Sequence, residues 1–192
     1  MLCTVWALAI KKSLMHPKGC EGARRAFQTL ITWHRLNKRP IVYIDESGFA
    51  HDMPRTHGYA PKGLRCFGER DWDAKGRTHA MGALIGKALL SVALFSVALF
   101  NVNVNADVFT AWVAQDLLPK LPAQSIVVMD NATFHKREDT QNMIRNAGDG
   151  LLYLPAYSPD LNPIEQKWAQ AKALRRQTHR SIDEIFTENQ FI

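Results

Sequence analysis

The chain has 192 residues, 46% of them hydrophobic, with a formal net charge of +6, enough for one domain with a full core and too little for two comfortable ones. Its longest apolar run, residues 88–100, spans 13 positions and includes two serines, short of the ~20 that a membrane helix needs, and the opening MLCTVWALAI lacks the basic lead and cleavage site of a secretion signal. Cys3, Cys20 and Cys66 are odd in number, widely spaced and without a CxxC pair, which argues against a disulfide framework or a zinc finger and for a reducing, cytoplasmic setting.

Residues 1–40 carry eight Lys or Arg against Glu21 alone, while the remainder carry sixteen against seventeen acids. The basic excess is therefore an arm, a feature that suits either a nucleic-acid contact or a solvated helix face. Within it Ala23, Phe27, Leu30, Ile31 and His34 recur at helical spacing, and Pro40 ends the pattern, so a helix is predicted over 20–37. The β-branched run IVYID predicts a buried strand over 41–45, closed by Asp45. From His51 to Gly76 the text is rich in Gly, Pro, Arg, Lys and Asp, the mark of a long irregular loop, which a compact domain rarely keeps without a function.

Strands are predicted at 78–86 and 88–104, the second expected to pair beside the strand that bears Asp45. SVALF occurs twice in the second, at 91–95 and 96–100, and five extra residues reverse the faces of whatever follows in a strand of period two, unless a bulge or a shifted pairing absorbs them. A helix over 107–118, a strand over 125–129, a helix over 138–147, a strand over 151–154 and a helix over 163–176 complete the order. Hairpin strands followed by strand and helix in alternation predict a mixed sheet with helices on its faces. Ligands gather at the carboxyl ends of such strands, where Asp45 and Asp130 are expected.

Each of three acids has a sufficient structural reason of its own. Asp45 and Asp130 both leave a strand into a turn, as Asx-turn residues do, and Glu165 stands where Asn162 and Pro163 would place the third helical residue of a capping box. Taken together they describe an oxygen-rich site for Mg²⁺ or Mn²⁺, open to water and phosphate, as in an enzyme acting on phosphodiesters. GALIGK at 82–87 is not a phosphate loop, because three residues rather than four separate its glycines and Ala88 follows the Lys. The cluster His51, Asp52, His57, Cys66 and His79 lacks zinc-like spacing.

IVYIDESGF, SIVVMDNATFHK and LPAYSPDLNPIEQKW resemble the three catalytic blocks of DDE transposases of the mariner superfamily, in their bacterial insertion-sequence branch. The 34 residues between Asp130 and Glu165 are also similar to that group's spacing. The resemblance runs from about Pro40 to Arg180. It implies an RNase H-like α/β fold, a mixed five-stranded sheet with helices on both faces, and a catalytic triad of Asp45, Asp130 and Glu165 holding two Mg²⁺ or Mn²⁺ ions. It implies DNA, as element ends and target, for partners, dimers during transposition and a nucleoid-associated bacterial protein, with no membrane and no small-molecule substrate. Asn131 is expected to orient Asp130 or serve a turn, and His135 to meet a phosphate or lie at the surface. Lys172 and Arg176, on the face of Glu165, are expected to extend a phosphate-binding ridge, since five basic residues and no acid occupy 167–180.

The family's helix-turn-helix modules have no counterpart in the 44 residues before Asp45. The expected division is a basic linker or helical remnant at 1–40, the catalytic domain at 41–180 and a tail at 181–192, a catalytic domain truncated at its amino end. Rival readings are another RNase H-like nuclease, such as a ribonuclease H or junction resolvase, and a silent DNA-binding remnant of a decayed element.

Overall fold

The computed structural model describes residues 17–51, 60–65, 67, 76–96 and 106–187. Helix α1 (Glu21–Leu36) precedes three strands, β1 (Ile41–Ala50), β2 (Arg77–Ile85) and β3 (Ala88–Ser96). Then come α2 (Ala106–Trp112), β4 (Ile126–Met129), α3 (Glu138–Asn146), β5 (Gly150–Tyr153), α4 (Ile164–Thr178) and α5 (Ile182–Thr187). The five strands form one sheet in the order β3-β2-β1-β4-β5. β1, β2 and β3 run antiparallel, while β4 and β5 continue parallel to β1.

Alternation along β1 explains both layers. Ile41, Tyr43 and Phe49 join a core completed by Phe27 and Ile31 of α1, Ile164, Trp168 and Ala171 of α4, and Ile182 and Ile185 of α5. Val42 and Ile44 face the other way, into a core with Phe109 and Trp112 of α2 and Ile144 of α3. Strands buried on both faces read as unbroken apolar runs, which is why IVYI and IVVM carry no polar alternation. Helices therefore cover both faces of the mixed sheet, as expected.

Several boundaries differ from the sequence pattern. β1 continues five residues past Asp45, because the antiparallel ladder with β2 runs from Val42 to Ala50 while the parallel ladder with β4 stops at Tyr43. Asp45 is thus mid-strand toward β2 and past the strand end toward β4. The expected helix over 107–118 is α-helical only to Trp112, then widens to a π-turn over Val113–Leu117 and tightens to a 3₁₀ turn over Leu118–Lys120. Pro119, which has no N–H to give an α-helix, lies in that last turn.

The strand bearing the SVALF repeat does not lie beside β1, contrary to the sequence reading. It is the sheet edge and pairs with β2 alone, because a two-residue turn at Gly86 and Lys87 folds it straight back on its predecessor. Ala83 pairs with Ser91 and Leu84 with Leu89, so Leu90 is bulged ahead of the repeat. The second copy beyond Ser96 lies outside the described residues, as do most of the loop between His51 and Gly76 and the first 16 residues. The His51 N–H donates to the Gly76 carbonyl at 3.1 Å, closing that loop's base. Among the described residues no helix is long and apolar enough to cross a membrane.

Candidate active site

The parallel β1–β4 ladder ends at Tyr43 and Val128, two residues before Asp45 and Asp130, so both acids lie just past the same end of that ladder. Asp45 shares the parity of Tyr43, and so emerges on the α1/α4/α5 face, where α4 presents Glu165 in its first turn. Asp45 is partly buried and Glu165 exposed. Burial, then the charges of Glu165 and Glu46, push the Asp45 carboxyl up to about 8. Burial is the larger cause, and the two neighbouring acids add to it by concentrating negative charge around Asp45.

Glu165 is not spent on a capping box. α4 begins at Ile164, its start carries no side-chain cap, and the buried Asn162 Oδ1 has no hydrogen-bond partner among the described residues. Only the Asn162 main-chain carbonyl takes the Glu165 N–H, at 3.2 Å.

Asp45 and Asp130 are both held by hydrogen bonds. The Trp168 indole N–H donates to Asp45 Oδ2 at 3.0 Å. Asp130 Oδ1 accepts the Ala132 N–H at 2.8 Å, an Asx-type turn, and faces His135 Nδ1 at 2.6 Å. The hydrogen bond to His135 holds the Asp130 carboxyl below its ordinary range. With those oxygens engaged, no three His, Cys, Asp or Glu side chains among the described residues are drawn together tightly enough to hold an ion as they stand.

His135 is fully buried, not a surface residue. Its Nε2 lies 2.8 Å from Glu46 Oε1, so both ring nitrogens meet carboxylates. Burial opposes the charged ring, but the hydrogen bonds to Asp130 and Glu46 outweigh it and push His135 up to about 9. Asn131 is exposed, on the turn after β4. Lys172 is half-buried with its Nζ 5.3 Å from the centre of the Phe49 ring, and Arg176 is half-buried on the same helix. Arg175, between them in sequence, donates to the carbonyls of Ala50 and His51, the latter at 2.7 Å, tying α4 to the end of β1.

The profile of the DDE superfamily endonucleases matches residues 40–186. The chain belongs to that family.

The endonuclease fold is also that of solved structures of Mos1 transposase, and the sheet is RNase H-like. The Mos1 strand transfer complex superposes with a TM-score of 0.70 at 19% identity, covering 96% of this chain and 58% of that one. The paired-end complex with the left transposon end gives 0.69 at 16%, covering 98% and 60%. The Mos1 catalytic domain alone gives 0.57 at 16%, covering 92% and 85%. The chain thus spans about 60% of the Mos1 protein in its paired-end complex. No curated protein matches it significantly.

The sequence pattern points to neither Glu46 nor Trp168 in this endonuclease. Glu46 is adjacent to Asp45 and therefore on the opposite face of the strand. Trp168 stands one turn after Glu165 on the same helix face, and that spacing is its only signal.

Proposed function

We propose that this domain is the catalytic domain of a transposase that cuts and joins DNA strands with Mg²⁺ or Mn²⁺, and that Asp45, Asp130 and Glu165 are its catalytic and metal-holding residues. The observation carrying this reading is that Asp45 and Asp130 both lie just past the end of the β1–β4 ladder, with Glu165 in the first turn of α4 near enough to act on the Asp45 carboxyl, within a chain of the DDE endonuclease family. All the donors are hard oxygens, which suits Mg²⁺ and Mn²⁺, and Asp130 Oδ2 takes no hydrogen bond among the described residues. Two such ions, when bound, activate a water or 3′-hydroxyl and stabilise the leaving oxygen of an in-line displacement at phosphorus.

The protein's own groups have separable tasks in this reading. Asp45 and Asp130, each two residues past the last pair of the parallel ladder, would hold the ions together with Glu165 from α4. Lys172 and Arg176 lie farther along α4 and offer positive charge to the DNA backbone, and Asn131 sits at the exposed rim beside Asp130. His135, buried between two carboxylates, supports Asp130 rather than touching DNA.

The bacterial insertion-sequence branch is supported by the flanking text IVYIDESGF, SIVVMDNATFHK and LPAYSPDLNPIEQKW. Mos1 has been solved as a paired-end complex with the left transposon end, and as paired-end complexes with Mg and with Mn, which supports DNA ends as partners and these metals as cofactors here. The sequence resemblance to the bacterial insertion-sequence branch extends this reading to a homodimer and to a nucleoid-associated setting in a bacterial cytoplasm.

The test is nicking of supercoiled plasmid with Mg²⁺ or Mn²⁺. Wild type should nick, and Asp45→Asn, Asp130→Asn and Glu165→Gln should each abolish it; wild-type nicking in all three removes the assignment. A second reading, a silent DNA-binding remnant, draws on the absence of a ready ion cluster among the described residues. Calorimetry showing no heat of Mg²⁺ or Mn²⁺ binding would favour it, and preference for RNA–DNA hybrids or branched DNA would favour another RNase H-like nuclease.

A further inference from the structure

We infer that Trp168 is a positioning residue that fixes Asp45 relative to Glu165, and that Gly82 is the residue that admits it; the inference rests on the metal-dependent function proposed above. Gly82 pairs directly with Asp45 across the β1–β2 ladder. A Cβ built on it would come within 2.5 Å of Trp168 Cη2 and 2.9 Å of Cζ2, so only a glycine leaves room for the indole to lie across the sheet. The indole enters that gap from α4 and its N–H reaches Asp45 Oδ2 at 3.0 Å.

Because Trp168 and Glu165 stand one turn apart on the same face of α4, this one bond joins the helix carrying one acid to the strand carrying another. The ring itself is held from behind. It is fully buried and meets Phe49 and Phe186 edge to face, at centroid separations of 6.2 and 6.0 Å. A side chain so wedged has little rotamer freedom, and its hydrogen bond restricts the carboxylate equally. Burial alone does not require the bond: the Trp112 indole, buried in the opposite layer, has no hydrogen-bond partner among the described residues. By holding Oδ2, Trp168 fixes the orientation of the Asp45 carboxylate, as outer hydrogen bonds do for metal-ligating carboxylates.

Calorimetric titration of the full chain with MnCl₂ tests the inference. Trp168→Phe removes the donor together with part of the buried ring, so its thermal midpoint should fall, and Mn²⁺ affinity measured well below that midpoint should fall about tenfold, the scale on which outer-shell partners act. Gly82→Ala should weaken Mn²⁺ similarly by displacing the ring. In an Asp45→Asn background, Trp168→Phe should have no further effect. Mn²⁺ binding that depends on Asp45 but is unchanged in Trp168→Phe overturns the inference and leaves the proposed function standing. No Mn²⁺ binding by wild type overturns the proposed function, and this inference with it. An NMR measurement guards against variants that fail to fold: the Trp168 indole N–H resonance of the metal-free wild type should move upfield on Asp45→Asn, and an unmoved resonance also overturns the inference.

Discussion

His135 Nδ1 and Asp130 Oδ1 lie 2.6 Å apart, and the same ring meets Glu46 at 2.8 Å through Nε2. Imidazole cannot donate from both nitrogens unless it is protonated, so the geometry describes an imidazolium between two carboxylates, Glu46 within β1 and Asp130 just past β4. Replacing His135 by Ala removes the shared cation and leaves Glu46, with only 17% of its side chain exposed, facing a cavity. Breaking a buried pair from one side costs about 3–5 kcal/mol, and because the Asp130 side chain is 47% exposed the lower end applies. Chemical denaturation of His135→Ala should show a loss of about 3 kcal/mol. His135→Ala with Glu46→Gln should recover part of it, since the stranded charge is gone; a double variant as unstable as the sum of its parts would show that the two residues are not coupled.

The same ring predicts how stability depends on alkaline pH. His135 has its ordinary value of 6.5 when unfolded and is pushed up to about 9 when folded. A raised histidine contributes stability that is fully present below 6.5 and lost as pH rises through about 9. The thermal midpoint of wild type should therefore fall between about pH 7 and 10, and His135→Ala should fall less over the same window. Equal slopes would mean that the ring is neutral in the folded protein.

Asp45 drives the metal-free protein in the same direction through a different window. Its carboxyl is raised from 3.8 to about 8, so between those values the folded state binds more protons than the unfolded state and stability declines as pH rises. Asp45→Asn removes the charge without removing the shape. It should stabilise the metal-free protein at about pH 8 and above by a few kcal/mol, since each pH unit between the folded and unfolded values corresponds to about 1.36 kcal/mol, and have little effect near pH 4. Divalent binding must also displace this proton. Calorimetry at about pH 7 in two buffers of different ionisation enthalpy should record release of about one proton per Asp45 site. No buffer dependence would mean that Asp45 is already ionised, or is not a ligand.

The sheet is legible in the sequence because strands buried on both faces leave unbroken apolar runs, and Ile41–Ile44 and Ile126–Met129 are such runs. The acids are legible as a set only through their flanking text, since each alone fits a turn or a cap. Glu46 and His135 are 89 positions apart, and no local pattern announces that one buried ring will bridge them. Spacing rules out Gly82 as a phosphate-loop glycine, yet its use, making room for Trp168 opposite Asp45, depends on a pairing register that spacing does not reveal. Capping signals mislead in both directions. Asn162 and Glu165 have the letters of a capping box and do not form one. Ser181 and Glu184 form one reciprocally, with the Ser181 N–H on Glu184 Oε2 at 2.9 Å and the Glu184 N–H on Ser181 Oγ at 3.3 Å.

That box starts α5, within the stretch the sequence pattern leaves as a tail, and gives it a predictable part in stability. Ile182 and Ile185 are buried against the layer that holds Phe49 and Trp168, and Phe186 meets both of those rings edge to face, at 5.9 and 6.0 Å. Ile185→Ala removes a nearly inaccessible side chain and should cost about 2–4 kcal/mol, the range for large-to-small changes in a core. Ser181→Ala, which loses only the cap, should cost about 1 kcal/mol. Because Phe186 also packs on Trp168, Ile185→Ala should in addition loosen the ring that holds Asp45, seen as faster solvent exchange of the Trp168 indole N–H. If Ile185→Ala unfolds with wild-type stability, α5 is an appendage and not part of the domain.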